Sequence, residues 1–313
     1  MAKYRSALPQ LGNRPFLTDG GLETTLVFLD GIDLPCFASF PLLDTADGRA
    51  RLKKYFEPYL KAAKDHGAGF VLDTATWRAN TDWGAKLNYS QADLDRINRD
   101  SVDFAKELRK AHEMSSFPIV IDGVLGPRGD GYRPDALMSV EEAARYHQPQ
   151  IEAFREAGAD MVSAVTMNYF EEAAGIALAA KRAGMPVVVS FTVETDGKLP
   201  TGETLRSAVE RLDKLTDNAP AYYMINCAHP EHFNDVLEKG AWLERIRGIR
   251  ANASNKSHAE LDASTELDIG DIAGLAAHYR DLQKRLPKLA VMGGCCGTDH
   301  RHIAAISDHC LAA

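Results

Sequence analysis

Eight short apolar runs recur along the chain, each followed by a longer segment patterned as a helix, and this alternation restricts the fold more than any other feature. The runs are Phe16 to Thr18, Phe70 to Leu72, Pro118 to Ile121, Met161 to Val165, Pro186 to Phe191, Tyr222 to Ile225, Gly248 to Ala251 and Leu289 to Met292. Their apolarity is continuous instead of alternating, as expected of strands covered on both faces of a parallel sheet. Helices are expected over 47–66, 92–113, 140–157, 170–184, 203–216, 230–246, 270–286 and 299–312. Ser139-Val140-Glu141-Glu142 reads as a capping box, and Gly158 and Gly184 as helix ends just ahead of the next strand. Eight such units with right-handed crossovers predict a single (β/α)8 TIM barrel of the α/β class, one domain over 1–313. A doubly wound sheet is the competing arrangement. The longest irregular pieces, 27–46, 76–90, 124–138 and 193–202, all follow strands, which in a barrel gathers them around the active-site mouth.

A net charge of −8, from 36 basic and 44 acidic side chains, argues against a nucleic-acid partner. The densest basic stretch, Arg245 to Arg250, is interleaved with apolar residues. No window resembles a membrane-spanning apolar segment, and the first residues lack the apolar core of a signal peptide, so no membrane association is expected. Five cysteines do not read as a disulfide framework. A reducing cytoplasm is the expected location.

The cysteines carry the chemistry. Gly293-Gly294-Cys295-Cys296-Gly297 closes the eighth run, and Cys227 in Asn226-Cys227-Ala228 closes the sixth. In a barrel both ends open into one mouth. Neighbouring cysteines make poor disulfide partners but good paired thiolate ligands, and Cys227 supplies a third sulfur. Three thiolates leave one position open on a tetrahedral Zn2+, the pattern of a catalytic site. A soft donor set of this kind favours a further sulfur in the open position, so a small-molecule thiol held deprotonated is the expected substrate, and alkyl transfer to sulfur the expected reaction. Two other readings stand beside it: a zinc hydrolase in the same barrel, and a non-catalytic zinc or thiol redox sensor using Cys295 and Cys296. Cys36 and Cys310 read as small core hydrophobes. Asp299-His300-Arg301-His302 reads as the opening of the last helix.

Asp19-Gly20-Gly21, Thr76-Trp77-Arg78-Ala79-Asn80, Gly126-Pro127, His147-Gln148-Pro149-Gln150-Ile151, Asn226-Cys227 and the Gly-Gly-Cys-Cys-Gly segment together resemble the homocysteine S-methyltransferase family, over about 14 to 309. The resemblance implies a zinc-dependent barrel that moves a methyl group to the thiol of homocysteine, giving methionine, with Cys227, Cys295 and Cys296 as metal ligands. It implies that Asp19 holds the acceptor's amino group, helped by the backbone at Gly20 and Gly21, and that Thr166 and Asn226 border the substrate. One position departs from the family pattern. A Glu that also binds the ammonium is expected after the fourth strand, and this chain has Val165 followed by Thr166. Asp19 then acts alone, or Glu23 or Glu194 substitutes, or the acceptor is another thiol. Arg78 stands where betaine-using members place a cage tyrosine, which points to S-methylmethionine or S-adenosylmethionine as methyl donor and to Arg78 as the group that receives the donor's carboxylate.

Overall fold

A computed structural model describes residues 2–135 and 137–311. Eight parallel strands form a closed barrel in chain order: β1 (Phe16–Leu17), β2 (Gly69–Asp73), β3 (Ile119–Leu125), β4 (Met161–Met167), β5 (Val187–Phe191), β6 (Pro220–Asn226), β7 (Ile246–Ala251) and β8 (Val291–Gly294). Phe16 opposite Val291 and Leu17 opposite Met292 join β1 to β8, so no sheet edge is left unpaired. Every expected apolar run overlaps one of these strands, and the architecture is the predicted (β/α)8 barrel.

The outer ring contains α1 (Ala46–Asp65), α2 (Gln91–His112), α3 (Val140–Ala157), α4 (Phe170–Ala183), α5 (Leu205–Thr216), α6 (Ile272–Arg285) and α7 (His300–Cys310). Their ends follow the local chemistry. Ser139 and Glu142 form the reciprocal capping box at the start of α3, and Gly158 and Gly184 terminate α3 and α4 in the left-handed conformation. Asp299 caps α7 with His302 as its reciprocal partner. The helix expected at 230–246 is not continuous. It breaks into Pro230–Phe233, Asn234–Val236 and Ala241–Arg245, because Asn234-Asp235 favours turn geometry and Gly240 adopts an extended backbone. The last helix ends at Cys310, and its expected final residue, Ala312, lies outside the described residues.

One apolar layer fills the space between strands and helices, and a second, containing Phe16, Val71, Val120, Met161, Tyr222 and Val291, fills the lower barrel. Leu8, from the segment ahead of β1, closes that lower end. Asp160 ties the same face together: it accepts from the backbone amides of Lys3 (2.7 Å) and Tyr4 (2.8 Å) and from Arg109 Nη1 (2.7 Å). The upper half of the barrel is polar. Strand register sets Asp73 opposite Asp122, Asn226 opposite Arg250 and Arg250 opposite Gly293, at the end where the loops gather. Among the described residues, no helix is long and apolar enough to cross a membrane.

Candidate active site at the barrel mouth

The C-terminal ends of the strands open into a cavity of about 380 Å3. Two backbone segments at its floor fit only because they lack side chains. A Cβ on Gly293 would collide with Thr18 Oγ1, and one on Gly294 with Thr298 Oγ1. A Cβ on Gly21 would collide with Thr24 Oγ1 and press on the carbonyl of Cys295, and one on Gly20 would crowd the carbonyl of Thr298. The segments are also laced by hydrogen bonds: Gly294 N donates to Asp19 O and Gly21 N to Thr298 O, each at 2.9 Å. Asp19-Gly20-Gly21 and Gly293-Gly294-Cys295-Cys296-Gly297 are thus one packed unit. The Gly21 amide is taken by Thr298, so its contribution is close packing beneath the cysteines.

The three expected sulfurs converge. Cys227, Cys295 and Cys296 place their Sγ atoms within 4.8 Å of one another, and among the described residues they form the one such group of potential metal ligands. Cys227 and Cys295 are joined as a disulfide with Cα atoms 5.4 Å apart, while Cys296 is a free thiol with its sulfur 3.8 Å from that of Cys227. Sulfurs aimed at one point can share a cation or bond pairwise, and the structure shows the second arrangement. Burial pushes the Cys296 thiol up. Cys310 packs half-buried against the core, whereas Cys36 is half-buried outside it and adopts the left-handed backbone conformation at φ 57°.

Two backbone outliers frame the trio: Cys227 at φ 53° and Thr166 at φ 61° are left-handed without being glycine, a strained conformation that surrounding bonds must hold. At Thr166 the Asn226 side chain supplies those bonds, and at Cys227 the amide donates to Arg250 O at 3.1 Å. Asn226 Oδ1 accepts from Thr166 N (2.9 Å) and Ser190 Oγ (2.6 Å), while Nδ2 donates to Thr166 Oγ1 (2.9 Å) and points at Cys295 Sγ (3.9 Å). Asn226 and Thr166 therefore brace each other under the sulfurs.

Beside the sulfurs lies a charge cluster that the sequence reading did not anticipate. Arg250 pairs with Asp19 at 2.5 Å and with Asp73, and its Nε donates to Gly294 O at 3.1 Å. Tyr55 donates to the other oxygen of Asp19 at 3.0 Å. Burial lifts the Asp19 carboxyl to about 7 against the opposing pull of Arg250. Burial, with Asp73 beside it, also raises Asp122, which accepts from Ser163. Burial opposes the charge on Arg250, but the Asp73 and Asp19 carboxylates outweigh it and hold the guanidinium ionised. Val165 faces the cavity near this cluster and offers no polar atom. Asp73 and Asp122 are each a lone charge inside or ending an apolar run, the signal that could have marked them, whereas Arg250 is one of three arginines between Arg245 and Arg250.

Arg78 lines the outer cavity. Its guanidinium lies over Trp83 at 3.9 Å and Trp77 at 4.8 Å, donates to Cys36 O, and leaves Nε buried without a partner. Acidic groups face it. Glu23, Asp130 and Asp262 line the same space; burial and then Asp130 raise the Asp262 carboxyl. Glu194 is not at the cavity: it sits 3.2 Å from His258 Nδ1.

The chain matches the model of the homocysteine S-methyltransferase family over residues 16–310. It belongs to that family. A homocysteine S-methyltransferase of Escherichia coli (strain K12) is 26% identical over 243 residues, covering 74% of this chain and 77% of the relative. Homocysteine S-methyltransferase 1 of Arabidopsis thaliana is 24% identical over 316 residues, covering 93% and 92%. The crystal structure of the E. coli homocysteine methyltransferase MmuM in its oxidized form superposes with a TM-score of 0.76 at 23% identity, covering 96% of this chain and 97% of that one. Its metallated form gives 0.75 at 22%, covering 96% and 98%. The two superpositions establish a shared fold, and family membership places the chain among enzymes of methyl transfer to sulfur.

Proposed function

We propose that the chain, as one domain over 1–313, is a zinc-dependent S-methyltransferase that methylates homocysteine from a sulfonium donor, S-methylmethionine or S-adenosylmethionine. The observation that carries the reading is the convergence of Cys227, Cys295 and Cys296 at the mouth of a barrel of this family. The donor set fits a soft cation: three sulfurs on a glycine-shaped floor, with the Asn226 amide pointed at one of them. With Cys227 and Cys295 in their thiol forms, these residues would hold Zn2+, which would keep a substrate thiol deprotonated at neutral pH. A reducing cytoplasm suits such ligands.

The acceptor thiol gives its proton to solvent, and its sulfur attacks the donor methyl carbon. The new S–C bond forms as the sulfonium C–S bond breaks, and the donor leaves as a neutral thioether. The chain's residues orient the two partners. Asn226 and Thr166 keep the sulfur-bearing turns fixed, Gly20 and Gly21 let the floor approach, and Asp19 is a cavity-lining carboxylate that suits an acceptor ammonium. The acidic rim of Glu23, Asp130 and Asp262 favours a cationic donor, and the unpartnered Nε of Arg78 suits the donor's carboxylate.

A methyltransferase for another thiol is a second reading, favoured by one observation: Asp19 is already shared by Arg250 and Tyr55, and Val165 adds no second carboxylate. Calorimetry with homocysteine and with thiols lacking the amino group separates the two. Homocysteine binding more tightly supports the first, and equal affinity overturns it. Replacing Cys295 by Ala is expected to abolish metal binding and methionine formation together. Methionine formation retained in that variant refutes the mechanism.

A further inference from the structure

The loop after β3 reaches across the mouth and sets Tyr132 Oη 3.5 Å from Cys296 Sγ, within hydrogen-bonding range for a sulfur acceptor. We propose that Tyr132 is a positioning residue for the third sulfur: its hydroxyl donates to Cys296 and withdraws charge from that one ligand of the three. The inference rests on the metal reading above.

Several observations show that the phenol is placed and not merely packed. Its ring stacks on His258, centroids 3.9 Å apart and planes 12° from parallel. His258 is itself clamped between the loops after β5 and β6, with Nε2 2.7 Å from Cys227 O and Nδ1 3.2 Å from Glu194 Oε1. The short helix His258–Asp262, in the loop after β7, carries this imidazole, so four strand-end loops converge to fix one ring. The loop that bears Tyr132 is tethered as well. Asn168 Nδ2 donates to the carbonyls of Asp130 (2.9 Å) and Gly131 (3.2 Å), and Tyr132 N donates to Asp130 Oδ1 (2.9 Å). Further out, Glu172 Oε1 accepts from Arg128 N at 2.7 Å.

The chemical consequence is an asymmetric donor set. Cys295 faces an amide at 3.9 Å, whereas Cys296 faces a hydroxyl at 3.5 Å. A hydroxyl hydrogen bond draws electron density off a thiolate, so Cys296 would give less charge to a bound cation, leaving it a stronger Lewis acid for the substrate sulfur. Groups directed at a ligand in this way also fix its orientation, and their loss lowers metal affinity by roughly 10–100-fold.

Tyr132→Phe keeps the ring and its stack on His258 and removes only the donor. In the cobalt-substituted protein, the sulfur-to-cobalt charge-transfer band is expected to move to longer wavelength in Tyr132→Phe, with zinc affinity, read by chelator competition, falling by about tenfold. A second measurement needs no metal. With Cys227 and Cys295 joined as here, iodoacetamide alkylation of Cys296, located by peptide mass spectrometry against Cys36 as internal reference, is expected to slow several-fold in the variant, because the reacting thiolate loses the donor that stabilises it. An unmoved band or an unchanged Cys296-to-Cys36 ratio overturns the role of Tyr132. Absence of a sulfur-to-cobalt band in both proteins instead refutes the metal reading, and the alkylation ratio then decides whether the Tyr132 hydrogen bond stands on its own.

Discussion

Arg250 is the residue on which the polar half of the barrel turns. It emerges from β7 beside Asn226 and Gly293, and its guanidinium spans the ends of β1 and β2 by pairing with both Asp19 and Asp73. Removing one partner of a buried ion pair costs about 3–5 kcal/mol, because the charges left behind stay out of water. Arg250→Met is therefore expected to lose stability on that scale at pH 8. The loss has a pH signature. Burial holds Asp19 at about 7 against an ordinary 3.8, so between those values the native chain holds a proton that the unfolded chain has released. Its contribution to stability consequently rises as the pH falls from 7 toward 4. Without Arg250 the carboxyl moves up further and that rise steepens. Guanidinium chloride unfolding of both proteins at pH 8 and pH 5.5 should show the gap narrowing at the lower pH, and a constant gap contradicts the assignment. The cysteines were legible in the sequence because two adjacent thiols fenced by glycines have few structural uses. Arg250, Asp73 and Asp122 were not, because Asp73 and Asp122 are each one charge in an apolar run, Arg250 is one of three arginines in a mixed stretch, and their partners depend on register across strands far apart in the chain.

At the level of elements, boundaries were readable where a helix carries its own stop and start chemistry. Ser139 with Glu142, Gly158 and Gly184 are local devices and fell where expected. The segment after β6 defeated the same reading, since its apolar spacing is helical while Asn234-Asp235 and Gly240 break the backbone path. The short helix His258–Asp262 was missed because one turn with its own Ser257 cap has too few residues to show a period. A contact between α1 and α7 offers a test at this scale. His66, the residue that ends α1, places Nδ1 2.8 Å from Ala62 O and Nε2 2.9 Å from Asp308 Oδ1 on α7. Desolvation lowers the imidazole, but the Ala62 carbonyl and the Asp308 carboxylate raise it above 6.5 overall. A raised histidine stabilises fully below its ordinary value and loses that contribution as the pH climbs through the raised one. Asp308→Asn should accordingly lower the urea midpoint more at pH 5.5 than at pH 9. A difference that is the same at both pH values removes the imidazolium from the account.

The whole molecule is a barrel with a division of labour along its axis: chemistry at the top, closure at the bottom. The residues ahead of β1 belong to the closure. Leu8 is 7% exposed beneath the lowest apolar layer, and Gln10 is fully buried. Lys3 and Tyr4 give their backbone amides to Asp160, which also pairs with Arg109, and Arg247 Nη2 donates to Leu11 O at 3.0 Å. Cutting the chain before Gly12 would expose the lower barrel to water and leave Asp160 with two of its four donors, Arg109 Nη1 and the Ile121 amide. A buried leucine side chain removed from a core costs about 2–5 kcal/mol by itself, and each amide lost from a buried carboxylate adds about 1–3 kcal/mol. A chain beginning at Gly12 is thus expected to unfold at a markedly lower urea concentration, still in one transition, because strands in a closed barrel lose their neighbours together. The mouth is built from other loops, so the truncated protein, kept well below its midpoint, should bind zinc with the affinity of the full chain. Zinc binding lost in parallel with stability would show that the two ends of the barrel are coupled and that this division does not hold.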